Sequence, residues 1–163
     1  MAEIWDAYDR QFHKIENITL IRGQNIEDGM YHLVSEIIVK HRDGTYLLMQ
    51  RDPRKRHGGK WELTAGGSAL KGETPHQCAL RELREETGIR PSHLQEIGRL
   101  AHDGNHACYV VYLCLTDGDK TAVTLQPGET VAYQWITKEA LLQIGKAALA
   151  SDRAWDLLLE LDI

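Results

Sequence analysis

From Gly67 to Ile89 the chain reads GSALKGETPHQCALRELREETGI. A helix is punctuated within it at both ends. Thr74 suits the N-cap, Pro75 the first helical turn, and Gln77 completes a Thr-x-x-Gln capping box. Gly88 is the expected stop after Thr87. On a helical wheel with Glu82 at zero, Glu85 falls near −60° and Glu86 near +40°, so the three carboxylates share an arc of about 100°. Ala79, Leu80 and Leu83 lie on another side, suited to a core. Arg81 stands four residues before Glu85 and can pair with it, and Glu73 sits just ahead of the helix. A solvated face is the ordinary reading of a lone Glu-Glu pair. Three clustered carboxylates repel one another, however, and a shared hard divalent cation such as Mg²⁺ or Mn²⁺ relieves that repulsion.

Outward from this stretch the chain alternates between strand and turn signals. Residues 33–41 (LVSEIIVKH) and 45–50 (TYLLMQ) flank an Asp43-Gly44 turn and predict a hairpin. Residues 51–60 (RDPRKRHGGK) form a basic loop, and Trp61 to Ala65 is a short strand before the Gly66-Gly67 pair. Strands are expected over 94–101, 107–116 and 130–136, and helices over 138–144 and 151–161. Glu3–Asp9 and Ile15–Ile21 suggest a small N-terminal hairpin. The mixture lacks strict βαβ alternation and predicts an α+β fold, an α/β/α sandwich, in one domain spanning 1–163 with residues 1–30 packed on it as an extension.

The 163 residues suffice for one buried core. Nineteen basic against 24 acidic residues leave a net charge of −5, which argues against bulk electrostatic binding to nucleic acid. No apolar run approaches the roughly 20 residues that span a bilayer, and no secretory signal opens the chain. Three cysteines without CxxC spacing argue against a disulfide framework or a zinc site and point to a reducing cytoplasm.

The central stretch fits Gly, five residues, Glu, seven residues, then Arg-Glu-apolar-x-Glu-Glu-x-Gly-apolar. Nine positions are fixed by type, and a chance match in a chain this long is on the order of 10⁻⁷ to 10⁻⁸. The segment resembles a complete Nudix box at every defining position: Gly67, Glu73, Arg81, Glu82, Leu83, Glu85, Glu86, Gly88 and Ile89. The resemblance implies the Nudix fold, a mixed β-sheet between helices, and Mg²⁺- or Mn²⁺-dependent hydrolysis of a nucleoside diphosphate linked to another moiety. It implies that Glu82, Glu85 and Glu86 bind metal, with one of them a possible base toward water. Arg81 then holds a glutamate in place, Glu73 makes a salt bridge near the helix start, and the Gly67 region supplies a backbone ligand. A further glutamate beyond the box is expected, with Glu129 the candidate; a plain turn residue in Pro127-Gly128-Glu129 is the equal alternative.

Beyond the box the chain resembles the branch of isopentenyl diphosphate isomerase and its hydrolase relatives, through Trp5-Asp6-x-Tyr8-Asp9, Arg22-Gly23, Tyr31-His32-Leu33, the basic loop, Trp61 and Tyr133-Gln134-Trp135. The isomerase's cysteine falls on Gly66 here, and two of its metal-binding histidines fall on Ser68 and Asn25, so isomerisation ranks below hydrolysis. By the same resemblance Arg51 and Lys55 are the best candidates to clamp phosphates. His32 is either a substrate contact or a hydrogen-bonded structural histidine. A small phosphorylated molecule, a nucleoside di- or triphosphate or a nucleotide sugar, is the expected partner, with the protein a monomer or homodimer. A non-catalytic nucleotide-binding domain is the third possibility, disfavoured because every box glutamate is kept.

Overall fold

The computed structural model describes residues 1–163. The elements run β1 (Ile4–Tyr8), β2 (Lys14–Ile21), β3 (His32–His41), β4 (Tyr46–Arg51), β5 (Trp61–Glu62), β6 (Thr64–Ser68), α1 (Pro75–Thr87), β7 (His93–His102), β8 (Ala107–Thr116), β9 (Thr130–Ile136), α2 (Lys138–Ile144) and α3 (Arg153–Glu160). Strands β3 to β9 form one seven-stranded mixed sheet, and β1 and β2 form a separate antiparallel pair. This is the expected α/β/α sandwich.

Period-two alternation sorts the two faces. Leu33, Ile37 and Val39 of β3, Leu47 and Met49 of β4, and Val110, Tyr112 and Cys114 of β8 pack under α1, where Cys78, Ala79 and Leu83 meet them. Ile38, Tyr46 and Leu48 point the other way, onto Leu141 of α2 and Ala154, Trp155 and Leu158 of α3. Leu83 is fully buried, so its truncation to Ala would cost about 2–5 kcal/mol.

Two features of the sheet differ from the sequence reading. The β3–β4 hairpin pairs only at its turn, through Lys40 and Tyr46. Beyond it the strands part: β4 takes β9 as its neighbour, and β3 takes β6. The single strand expected over 61–65 is correspondingly two. Trp61 and Glu62 pair with β4, the chain crosses at Leu63, and Thr64–Ser68 pairs with β3. β3 also runs parallel to β8 along all ten residues from His32 to His41. The sheet is therefore split beside Gly66 and Gly67, and a polar cavity lies there.

Helix α1 carries its expected caps. Thr74 Oγ1 accepts from the Gln77 N–H at 3.1 Å, the Gln77 side chain accepts from the Thr74 N–H at 2.9 Å, and Gly88 closes the helix in the left-handed region at φ 72°. The 151–161 helix is confined to Arg153–Glu160. The β1–β2 pair is tied to the body by Trp5 stacked on His32 at 4.3 Å and by the Gly72 N–H donating to Asp6 at 2.7 Å. No helix is long and apolar enough to cross a membrane.

Candidate active site

Helix α1 presents Glu82, Glu85 and Glu86 toward a cavity of about 580 Å³, and the Gly66–Ser68 segment of β6 forms its adjacent wall. Arg81 organises this edge. It grips Glu73 in a fork, Nε to Oε1 at 2.7 Å and Nη2 to Oε2 at 2.9 Å. Its Nη1 donates to Glu82 at 2.6 Å and to Glu85 at 3.3 Å, and its Nη2 also reaches the Ser68 carbonyl at 3.1 Å. The predicted roles of Arg81 and Glu73 thus merge into one network joining the loop before α1, the helix and β6. These contacts raise the Arg81 pKa further and hold the Glu73 carboxyl below the usual range.

Glu86 has a different setting. It accepts from the Gly66 N–H at 3.0 Å, and burial pushes its carboxyl up to about 8. Burial also raises Glu82. The three carboxylates line one cavity, yet they do not converge on one point: Arg81 engages two of them and Gly66 the third. The donor set nonetheless fits a hard divalent cation. It is all oxygen, two of its carboxyls are costly to ionise without a compensating charge, and Gly67 has no side chain where one would intrude. A Cβ on Gly67 would lie 2.6 Å from Glu82 Oε1. The Gly67 carbonyl accepts from the Cys78 thiol at 3.4 Å.

The expected phosphate-binding residues line the same cavity. Arg51 pairs with Glu62 and donates through Nε to the Arg56 carbonyl at 2.9 Å, which folds the basic loop back on β4. Lys55 pairs with Glu129, so the two candidates from opposite sides of the sequence meet at the mouth. Burial and the neighbouring Arg51 lower the Lys55 pKa.

His32 is not among the residues lining the cavity. Its ring stacks on Trp5, and its Nδ1 lies 3.2 Å from Ser68 Oγ. Burial, with help from His106 and Arg22, lowers its pKa to about 4. The folded protein therefore favours neutral His32, and between the folded and unfolded pKa values the unfolded chain binds more protons. Stability falls as pH drops through that window, by about 2 kcal/mol between roughly pH 7 and 5 from this group alone. Urea unfolding at the two pH values should show this loss in the wild type and a smaller one in His32→Asn.

Sequence reasoning missed Glu62, and it missed Glu36, Ser151 and Arg153, which line the cavity with Tyr109, an aromatic that the sequence leaves open between core packing and stacking on a base. One signal was present: a glutamate at position 36 interrupts the apolar run of β3. Its partner lies 117 residues away, beyond the reach of any local pattern.

Residues 30–158 match the NUDIX domain family. The chain is 30% identical over 140 residues to an uncharacterized Nudix hydrolase of Listeria innocua, covering 85% of this chain and 82% of that one. It is 37% identical over 122 residues to the CTP pyrophosphohydrolase of Escherichia coli, covering 70% and 81%. The crystal structure of a Deinococcus radiodurans protein superposes with a TM-score of 0.75 at 19% identity, over 95% of this chain and 97% of that one, a likeness of fold. With the NUDIX family match spanning most of the chain and all nine box positions filled, the chain belongs to the Nudix hydrolase family, as a Nudix-type pyrophosphohydrolase.

Proposed function

We propose that the protein hydrolyses a phosphoanhydride bond in a nucleoside diphosphate linked to another moiety, a nucleoside di- or triphosphate or a nucleotide sugar, with Mg²⁺ or Mn²⁺. One observation carries this reading: Glu82, Glu85 and Glu86 line a single cavity together with Arg51 and Lys55. Carboxylates and cations gathered in one cavity suit a polyphosphate bound together with metal. The similarity to a CTP pyrophosphohydrolase supports a nucleotide substrate.

Glu82, Glu85 and Glu86 would hold the cation, together with the Gly67 carbonyl. When bound, the cation supplies charge neutralisation at the bridging phosphates and lowers the pKa of a coordinated water. Arg81 positions Glu82 and Glu85 while its fork to Glu73 fixes its own plane. The Gly66 N–H orients Glu86. Arg51 and Lys55 draw the phosphates toward the mouth, and their acid partners Glu62 and Glu129 keep both ammonium and guanidinium aimed inward until substrate competes for them. Attack at phosphorus then needs chiefly alignment and electrostatic stabilisation. We assign His32 to the support of β6 through Ser68 and Trp5, not to substrate.

The isomerase alternative gains nothing from Cys78. Its thiol is buried against Gly67 and Arg81, and burial pushes its pKa up to about 11.

The test is incubation with Mg²⁺ and a panel of nucleoside di- and triphosphates, nucleotide sugars and isopentenyl diphosphate, with products read by mass spectrometry. Phosphoanhydride cleavage abolished by EDTA and restored by Mg²⁺ is expected. Dimethylallyl diphosphate as the product, or nucleotide binding with no turnover across the panel, would overturn the reading.

A further inference from the structure

At the end of the cavity away from α1, on the sheet face covered by α3, three buried polar atoms have no partner: Glu36 Oε2, Arg153 Nε and Ser151 Oγ. Glu36 stands opposite Gly66 in the β3–β6 register, so this corner begins one strand away from the glycine that holds Glu86. Glu36 is only 7% exposed. Arg153 reaches it from the first turn of α3, Nη2 to Oε1 at 2.5 Å, with the guanidinium over the Tyr109 ring at 3.8 Å from its centroid.

The more exposed Arg22–Glu3 pair and the Arg51–Glu62 pair make one bond each, but other arginine–carboxylate pairs close as forks. Arg81–Glu73 does so, with two bonds. Arg99–Glu96 does so too, at 2.6 and 3.1 Å. Arg153–Glu36 makes one bond and leaves Arg153 Nε and Glu36 Oε2 both buried without a partner. Each unmade bond leaves a desolvated polar atom uncompensated, and native interiors rarely tolerate such groups without a water or a ligand to satisfy them. Opposite charges cancel in this corner, so it does not attract another phosphate; the cations of the β4–β5 loop do that at the mouth. What fits is a neutral group presenting a hydrogen-bond donor to Glu36 and an acceptor to Arg153 and Ser151.

We propose that Glu36, Arg153 and Ser151 form the subsite that reads the nucleobase, taking an N–H or amino group on Glu36 and the adjacent ring nitrogen or carbonyl on Arg153 and Ser151. The proposal rests on the hydrolase reading above and adds what the end of the substrate remote from the phosphates must be. Tyr109 packs against the guanidinium and holds its plane, which aims Nε at the base edge.

The experiment compares kcat/KM for ATP, CTP, GTP and UTP with that for ribose 5-triphosphate, which lacks a base, in the wild type, Glu36→Gln and Arg153→Gln. The wild type should favour at least one nucleotide over the abasic compound. Each variant should lower that preference roughly 10- to 100-fold. A wild type without preference, or folded variants in which the ratio is unchanged, would overturn the proposal. Should the variants not fold, the ¹⁵N resonance of Arg153 Nε in the metal-free wild type decides: it should move with a nucleoside 5′-monophosphate and not with ribose 5-phosphate, and a resonance moved by neither sinks the idea. The two readings fail separately. A shifted Nε resonance without cleavage of any substrate keeps the subsite and removes the hydrolase; cleavage indifferent to the base does the reverse.

Discussion

Glu86→Gln is expected to lower kcat for phosphoanhydride hydrolysis by roughly 10²- to 10⁴-fold and to leave the metal-free protein as stable as the wild type, or more so. The two effects have one cause. Glu86 is a carboxyl whose burial raises its pKa to about 8. Glutamine has the same shape and keeps an oxygen for the Gly66 N–H, so the anchor to β6 survives, but it has no charge to offer a cation. The sign of the pH effect follows. A carboxyl protonated more readily in the folded state than in the unfolded one contributes stability that declines as pH rises from the ordinary carboxyl range through about 8. The wild type without metal should therefore lose melting temperature toward alkaline pH, and Glu86→Gln should lose less. Differential scanning fluorimetry with EDTA, beside turnover assays with Mg²⁺, measures both. A variant that kept its activity would remove Glu86 from the metal-binding set, and one that melted early would show that its carboxylate supports the fold.

The part of the site that lies within one helix is legible in the sequence. The spacing of Glu82, Glu85 and Glu86, the Thr74–Gln77 cap and the stop at Gly88 are all set by contacts within four residues, where sequence pattern and geometry coincide. The strands of the core are legible for the same reason: Ile37, Ile38 and Val39, or Tyr46, Leu47 and Leu48, alternate between two apolar faces and can be little else. The divergence of β4 from β3 is not legible. An Asp-Gly turn predicts the hairpin but says nothing of how far pairing runs past it, and here the insertion of β6 against β3 ends it after Lys40 and Tyr46. Nor is the three-way grip of Arg81, since its partners Glu73, Glu82 and Ser68 belong to a loop, a helix and a strand. The Lys55–Glu129 and Arg153–Glu36 pairs join residues 74 and 117 positions apart. His32 has two roles open to it in the sequence because whether it faces the cavity or Trp5 depends on where the N-terminal hairpin packs, a tertiary matter on which local pattern is silent.

Gly66→Ala and Gly67→Ala, adjacent and chemically identical, should fail in opposite ways. At Gly66 the backbone φ is 153°, and an added Cβ would lie 2.1 Å from the Ser35 carbonyl oxygen and 3.0 Å from the Glu36 Cα. Those atoms belong to β3, which is bonded along both sides, to β6 and to β8, so neither strand can yield without breaking its ladder. The expected cost is about 3 kcal/mol or more, a fall of roughly 6–12 °C in melting temperature for a chain of this length. At Gly67 the three atoms nearest the added Cβ all belong to the Glu82 carboxylate, the far end of a flexible side chain. It can swing aside, and the fold should lose no more than about 1 kcal/mol. The carboxylate then leaves the place where it faces Glu86 and the β6 backbone, so Mn²⁺ affinity, followed by electron paramagnetic resonance, should weaken by about 10- to 100-fold, and hydrolysis with it. The contrast tests the division of labour between the two glycines. Equal melting temperatures would mean that β3 and β6 can part to admit a methyl group, and unchanged Mn²⁺ affinity in Gly67→Ala would mean that the cation does not depend on Glu82 where the fold places it.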